Sequence, residues 1–108
     1  MANNIKLYWT PIRYMEIWKS DSNGEIFLLG ISGTYHLNKT AGFIWRHLDG
    51  STTILQIINK VCTAFKKNRS EVQKDIIDLL NQLERDDLIV LNYDPLNPIK
   101  ELHTIKKR

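Results

Sequence analysis

The sequence predicts a small α+β domain of winged-helix type, with a three-stranded antiparallel sheet followed by three helices. Three observations lead to this reading. The first third of the chain is rich in β-formers, with period-two alternation at Ile5, Leu7 and Trp9 and again from Thr34 to Leu37. From Asn38 to about Leu88 the apolar residues recur at helical spacing instead. Turn signals, Asp21-Ser22-Asn23-Gly24 and Ser32-Gly33, separate the strand runs at intervals suited to hairpins. Strands come first and helices after, without the alternation that a parallel sheet needs.

Taken in order, Thr10-Pro11 breaks the first pattern, and Pro11 makes the segment before it an edge or a non-strand. Tyr14 to Trp18, Glu25 to Ile31 and Thr34 to Leu37 are the expected strands of an antiparallel meander. Asn38 can cap the first helix by accepting an unpaired backbone N–H, and Ala41, Phe43, Ile44 and Leu48 supply its apolar face, with Trp45 on the flank. Asp49-Gly50 is expected to end it, with Gly50 left-handed. Ser51, Thr52 or Thr53 can cap the second helix, whose stripe is Ile54, Ile57, Ile58, Val61, Cys62 and Phe65. Lys66 to Arg69 reads as a basic loop. Ser70, with Gln73 at capping-box spacing, is the expected start of the third helix, which buries Val72, Ile76, Leu79, Leu80 and Leu83. Asp86-Asp87 ends it, and Leu88 to Leu91 is a short extended exit. The expected division is an N-terminal extension or extra strand over 1–12, the domain over 13–91 and a tail over 92–108.

At 108 residues, 43% hydrophobic and 25% charged, the chain is long enough for one core. The net charge of +3 is too small to imply nucleic acid. The lone cysteine, Cys62, allows no internal disulfide, and it lies on an apolar helical stripe where it serves as core filler. The polar start lacks a signal-peptide pattern, and no run reaches the roughly 20 apolar residues of a membrane span, so a cytoplasmic protein without membrane partners is expected.

Little in the sequence points to catalysis. His36, His47 and His103 have no metal-ligand spacing with one another, with Cys62 or with an acid. Gly24, Gly30, Gly33, Gly42 and Gly50 are too dispersed for a phosphate loop, and each has a local turn or packing reading. Asp75 and Asp78 stand one helical turn apart but read as a solvated acidic face. The expectation is a binding module with no catalytic residue, metal or cofactor. A winged-helix DNA-binding regulator is an alternative. Against it, Glu71 to Asp87 carries six acids and two bases, the wrong sign for a helix beside phosphates. An adaptor that binds only a partner enzyme is the other alternative. A short meander packed on helices leaves a strand edge of unpaired N–H and C=O groups. Beside a helix wall, such an edge can take an extended peptide as an added strand.

The run YHLNKTAGFIWRHLDGSTTILQII, followed by DIIDLLNQLERDDLIV, resembles the PqqD-like family of precursor-peptide recognition domains. The matching positions are Leu37-Asn38, Ile44-Trp45, Asp49-Gly50, Thr53 and Ile57, then Asp75-Ile76, Leu79-Leu80 and Leu83. The resemblance implies that the leader of a ribosomally made precursor peptide binds along the third strand, in the cleft with the third helix. It further implies delivery to a separate modifying enzyme, such as a radical-SAM enzyme, or to a leader peptidase as in lasso-peptide pathways. Carried over by position, the strand contribution falls on Gly33, Thr34, Tyr35, His36 and Leu37. The helix contribution falls on one flank of the third helix or both: Asp75, Asp78 and Gln82 line one, with Ile76 and Leu79 beside them, and Ile77 and Leu80 extend the apolar stripe on the other. The extensions at either end could contact the partner enzyme or form a homodimer by strand exchange.

Overall fold

The computed structural model describes residues 5–14, 18–30 and 33–93. Its elements run β1 (Ile12–Arg13), β2 (Trp18–Ser20), β3 (Ile26–Gly30), β4 (Gly33–Leu37), α1 (Lys39–Arg46), α2 (Ile54–Phe65), α3 (Arg69–Arg85) and β5 (Ile89–Val90). The expected α+β architecture is present: an antiparallel sheet in the order β2-β3-β4, then three helices. The expected first strand begins at Tyr14, but Met15 to Ile17 lie outside the described residues, as do Ile31, Ser32 and the tail from Asp94 onward.

Registers Ile26↔Leu37, Leu28↔Tyr35 and Trp18↔Leu28 put one set of side chains on the helix side of the sheet. There Ile26, Leu28 and Leu37 are buried. The intervening pairs, Phe27↔His36 and Leu29↔Thr34, face outward, and Phe27 and Leu29 remain 39% and 55% exposed. The continuous apolar run of β3 therefore hides a strict alternation.

Helix α1 follows β4 with only Asn38 between them. The Asn38 side chain accepts from the Ala41 N–H at 2.9 Å, as expected. Helix α1 ends earlier than expected. It stops at Arg46, and the His47 and Leu48 N–H groups donate back to Ile44 and Trp45 carbonyls. Gly50 is left-handed, with φ +79°, but as part of the following turn and not as the residue that ends the helix. Trp45 is fully buried, not flanking, and the Arg13 guanidinium covers it, with its carbon 5.9 Å from the ring centre. Arg13 Nη1 donates to the Trp45 carbonyl at 2.9 Å and to the Arg46 carbonyl at 3.3 Å, which sets a cation at the negative end of α1.

Helix α2 starts at a full capping box. Thr53 Oγ1 accepts from the Gln56 N–H, and Gln56 Oε1 accepts from the Thr53 N–H. Its next free donors are met from outside the helix. The Ile54 and Leu55 N–H groups donate to the Trp9 and Leu7 carbonyls, each at 3.0 Å. The segment before Pro11 is thus a non-strand that closes a helix end, and Ile5, Leu7 and Trp9 pack against the core. Beyond it, β1 pairs antiparallel with β5 in a separate two-stranded ribbon, so the extended exit after the third helix is a short strand.

Helix α3 is capped by Asn68, not by Ser70. Asn68 Oδ1 accepts from the Ser70 N–H at 2.9 Å, the Ser70 hydroxyl at 2.7 Å and the Glu71 N–H at 3.4 Å. Arg69 is consequently the first helical residue, and the basic loop is one residue shorter than expected. Asp86 is the C-cap and Asp87 is left-handed, with φ +61°. The Asp87 N–H donates to the Glu84 carbonyl and the Leu88 N–H to the Leu83 carbonyl, a Schellman closure that buries Leu88 against Leu83. One core results, drawn from the inner sheet face, all three helices and β5.

Candidate functional site

β4 is an outer strand of its sheet. It pairs with β3 along one side, and no described strand pairs with the other. Alternate residues of an antiparallel edge strand aim N–H and C=O groups away from the sheet. Gly33, Thr34 and His36 are exposed, Tyr35 is half-buried with its side chain on the core side, and Leu37 is buried. His36 Nε2 lies 2.5 Å from Glu25 Oε1, and its ring sits 4.8 Å from that of Phe27. The polar side chains of β4 therefore decorate the outer face, while Tyr35 and Leu37 tie the strand to the interior.

Helix α3 contributes to the same core through Val72, Ile76, Leu80 and Leu83. Of the α3 residues expected at a site, Ile76 is only 1% exposed and offers no surface. Leu79 is half-buried and packs at the edge of the core, while Asp75, Asp78 and Gln82 are exposed. At 100° per residue, Asp75, Leu79 and Gln82 lie together on one flank. The other flank holds Gln73, Ile77 and Glu84; Leu80, expected there, is fully buried. Partial burial raises the Glu84 carboxyl above its usual range. Asp78 is paired with Lys74 at 3.4 Å, one helical turn away.

Sequence reasoning did not single out Phe27 and Leu29 on the outer sheet face, or the Glu25–His36 pair. The β3 pattern could have shown them only through its pairing with β4, because both faces of that strand carry apolar residues. Among the described residues no group of three or more His, Cys, Asp or Glu side chains is placed to hold a metal ion, and no helix is long and apolar enough to cross a membrane.

The family model described as coenzyme PQQ synthesis protein D (PqqD) matches residues 25–89, more than half of the chain. The chain belongs to the PqqD family. The match opens just before β3 and closes at the start of β5. It takes in the β4 edge and all three helices and leaves out β1 and β2. No curated protein and no solved structure matches the chain. PqqD membership supports a role in the biosynthesis of ribosomally made, modified peptides, as a peptide-binding partner. PqqD proteins are non-catalytic accessory proteins that typically bind a precursor peptide and partner enzymes.

Proposed function

We propose that this protein binds the leader of a precursor peptide as a fourth strand on the β4 edge and presents it to a separate modifying enzyme or leader peptidase. The observation that carries the reading is the side of β4 that no described strand pairs, on a five-residue strand inside the segment that matches PqqD. A guest strand there gains main-chain hydrogen bonds in register, and its side chains continue the alternation of the sheet. Every second guest residue would fall on the inner side with Tyr35, and in this reading the half-buried Leu79 of α3 would supply apolar contact. The others would fall on the outer side beside Thr34 and His36. Asp75, Asp78 and Gln82 give the helix rim a polar, acidic character, which suits a leader with basic or amide side chains next to its apolar anchors.

The enzyme partner is a radical-SAM enzyme or a peptidase, and the site of action is cytoplasmic. A DNA-binding role is disfavoured by the excess of acids along α3. The experiment is a titration of the full chain with dye-labelled leader peptide, followed by proline scanning of the peptide. A proline at a residue facing β4 removes a ladder hydrogen bond and should weaken binding about tenfold or more. Amide exchange at Thr34 to His36 should slow when the leader is added. Unchanged affinity throughout the scan, with no protection on β4, would sink the added-strand mechanism.

A further inference from the structure

Charge in this molecule is uneven along the chain. Lys39 to Ser70, which covers α1, α2 and the start of α3, holds six Lys and Arg residues and one acid, Asp49, while Glu71 to Asp87 holds six acids and two bases. The single acid of the basic half is already engaged. Asp49 accepts from the Ser51 N–H at 2.9 Å, the Thr52 N–H at 3.0 Å and the Thr52 hydroxyl at 3.3 Å. Partial burial pushes its carboxyl up, but these hydrogen bonds together outweigh it and hold the carboxyl below its usual range. It stays an anion committed to its own turn.

On this basic side α1 and α2 leave an open depression of about 390 Å³, lined by Phe43, His47, Asn59, Lys60, Thr63 and Ala64. Its apolar wall is braced: the Phe43 ring meets Phe65 edge-on at 5.4 Å and lies 4.7 Å from the His47 ring. His47 Nδ1 donates to the Phe43 carbonyl at 2.9 Å. Arg69 Nη1 donates to Asn59 Oδ1 at 2.5 Å, which fixes a guanidinium at the rim near Lys60. The combination is an apolar notch with cations around it and no acid among its lining residues.

We infer that this α1–α2 depression docks an acidic segment of a partner protein. One aromatic or aliphatic side chain of that segment enters beside Phe43 and Ala64, and its carboxylates pair with Lys60 and Arg69. An anchor side chain in a small pocket with charged groups at the rim is how compact protein interfaces concentrate their affinity. A nucleic acid fits less well, because it calls for successive cations along a backbone path and gains nothing from an apolar wall. The inference does not rest on the leader reading: no lining residue belongs to β4 or α3, and α3 gives the rim only its first residue, Arg69, so both surfaces can be occupied at once.

The test uses the full chain and a dye-labelled Glu-rich peptide with one central Phe, followed by anisotropy and by backbone amide shifts. Saturable binding is expected, with shifts at Phe43, His47 and Asn59 to Ala64. Lys60→Glu, and separately Ala64→Trp, which fills the notch without changing charge, should each weaken it about tenfold. Both positions are exposed on α2, so circular dichroism should be unchanged. Replacing the Phe by Gly in the peptide should cost about as much. The inference is overturned if the peptide fails to bind at low salt, or if the shifts fall on β4 and on α3 from Asp75 onward instead. It is also overturned if a Phe-free Glu peptide or a DNA duplex binds as tightly, which would make the surface a general polyanion site.

Discussion

A methyl group at Gly42 would lie 2.7 Å from the Gly24 carbonyl oxygen and 2.9 Å from Ile26 Cγ1. The helix that follows the candidate binding strand is therefore pressed directly against the β2–β3 turn, and backbone oxygen cannot yield as a flexible side chain can. Gly42→Ala should destabilise the protein by about 1–3 kcal/mol, although alanine is the better helix former. Chemical denaturation measures this, and an unchanged midpoint would show that α1 can back away at little cost. In the sequence Gly42 carried only a generic packing reading, because a close approach between a helix and a distant turn leaves no local pattern. Trp45 is similar. Its position suggested a flank, and burial under Arg13 depends on a strand more than thirty residues earlier.

At the scale of the elements, the strands and helices were legible wherever the apolar period was long, and the ends were not. Two capping signals competed before α3. Ser70 had Gln73 at the right spacing, yet Asn68 reaches three donors and so sets the cap two residues earlier. Asn68→Ala should cost about 1 kcal/mol, whereas Ser70→Ala should cost a few tenths. Thermal melts of the two variants decide between the caps, and equal losses would count against the Asn68 geometry. The β1–β5 ribbon was not legible as a pair. Each strand is two residues long, too short for a period, and the partners are separated by most of the chain. For the candidate site, β4 could be read from its alternation and from the turn before it. The α3 contribution could not be read to a single flank, because residues on both sides of the buried stripe are partly apolar.

In the whole molecule, the N-terminal segment behaves as part of the body. Leu7 and Trp9 give their carbonyls to the first turn of α2 and their side chains to the core. A chain beginning at Thr10 should lose about 2–4 kcal/mol of stability through exposed helix donors and lost apolar burial. A urea titration reads this directly, and full stability after the truncation would show that water replaces those contacts without loss. The uneven charge matters as well, with bases in excess from Lys39 to Ser70 and acids in excess from Glu71 to Asp87. Partners of opposite sign would be steered to different stretches before contact.

The pairing of β1 with β5, supported by the Thr10 hydroxyl donating to the Tyr93 carbonyl, brings the first and last described stretches of chain to one location. A short crosslink between positions 10 and 93 would therefore close the ribbon without spanning the domain.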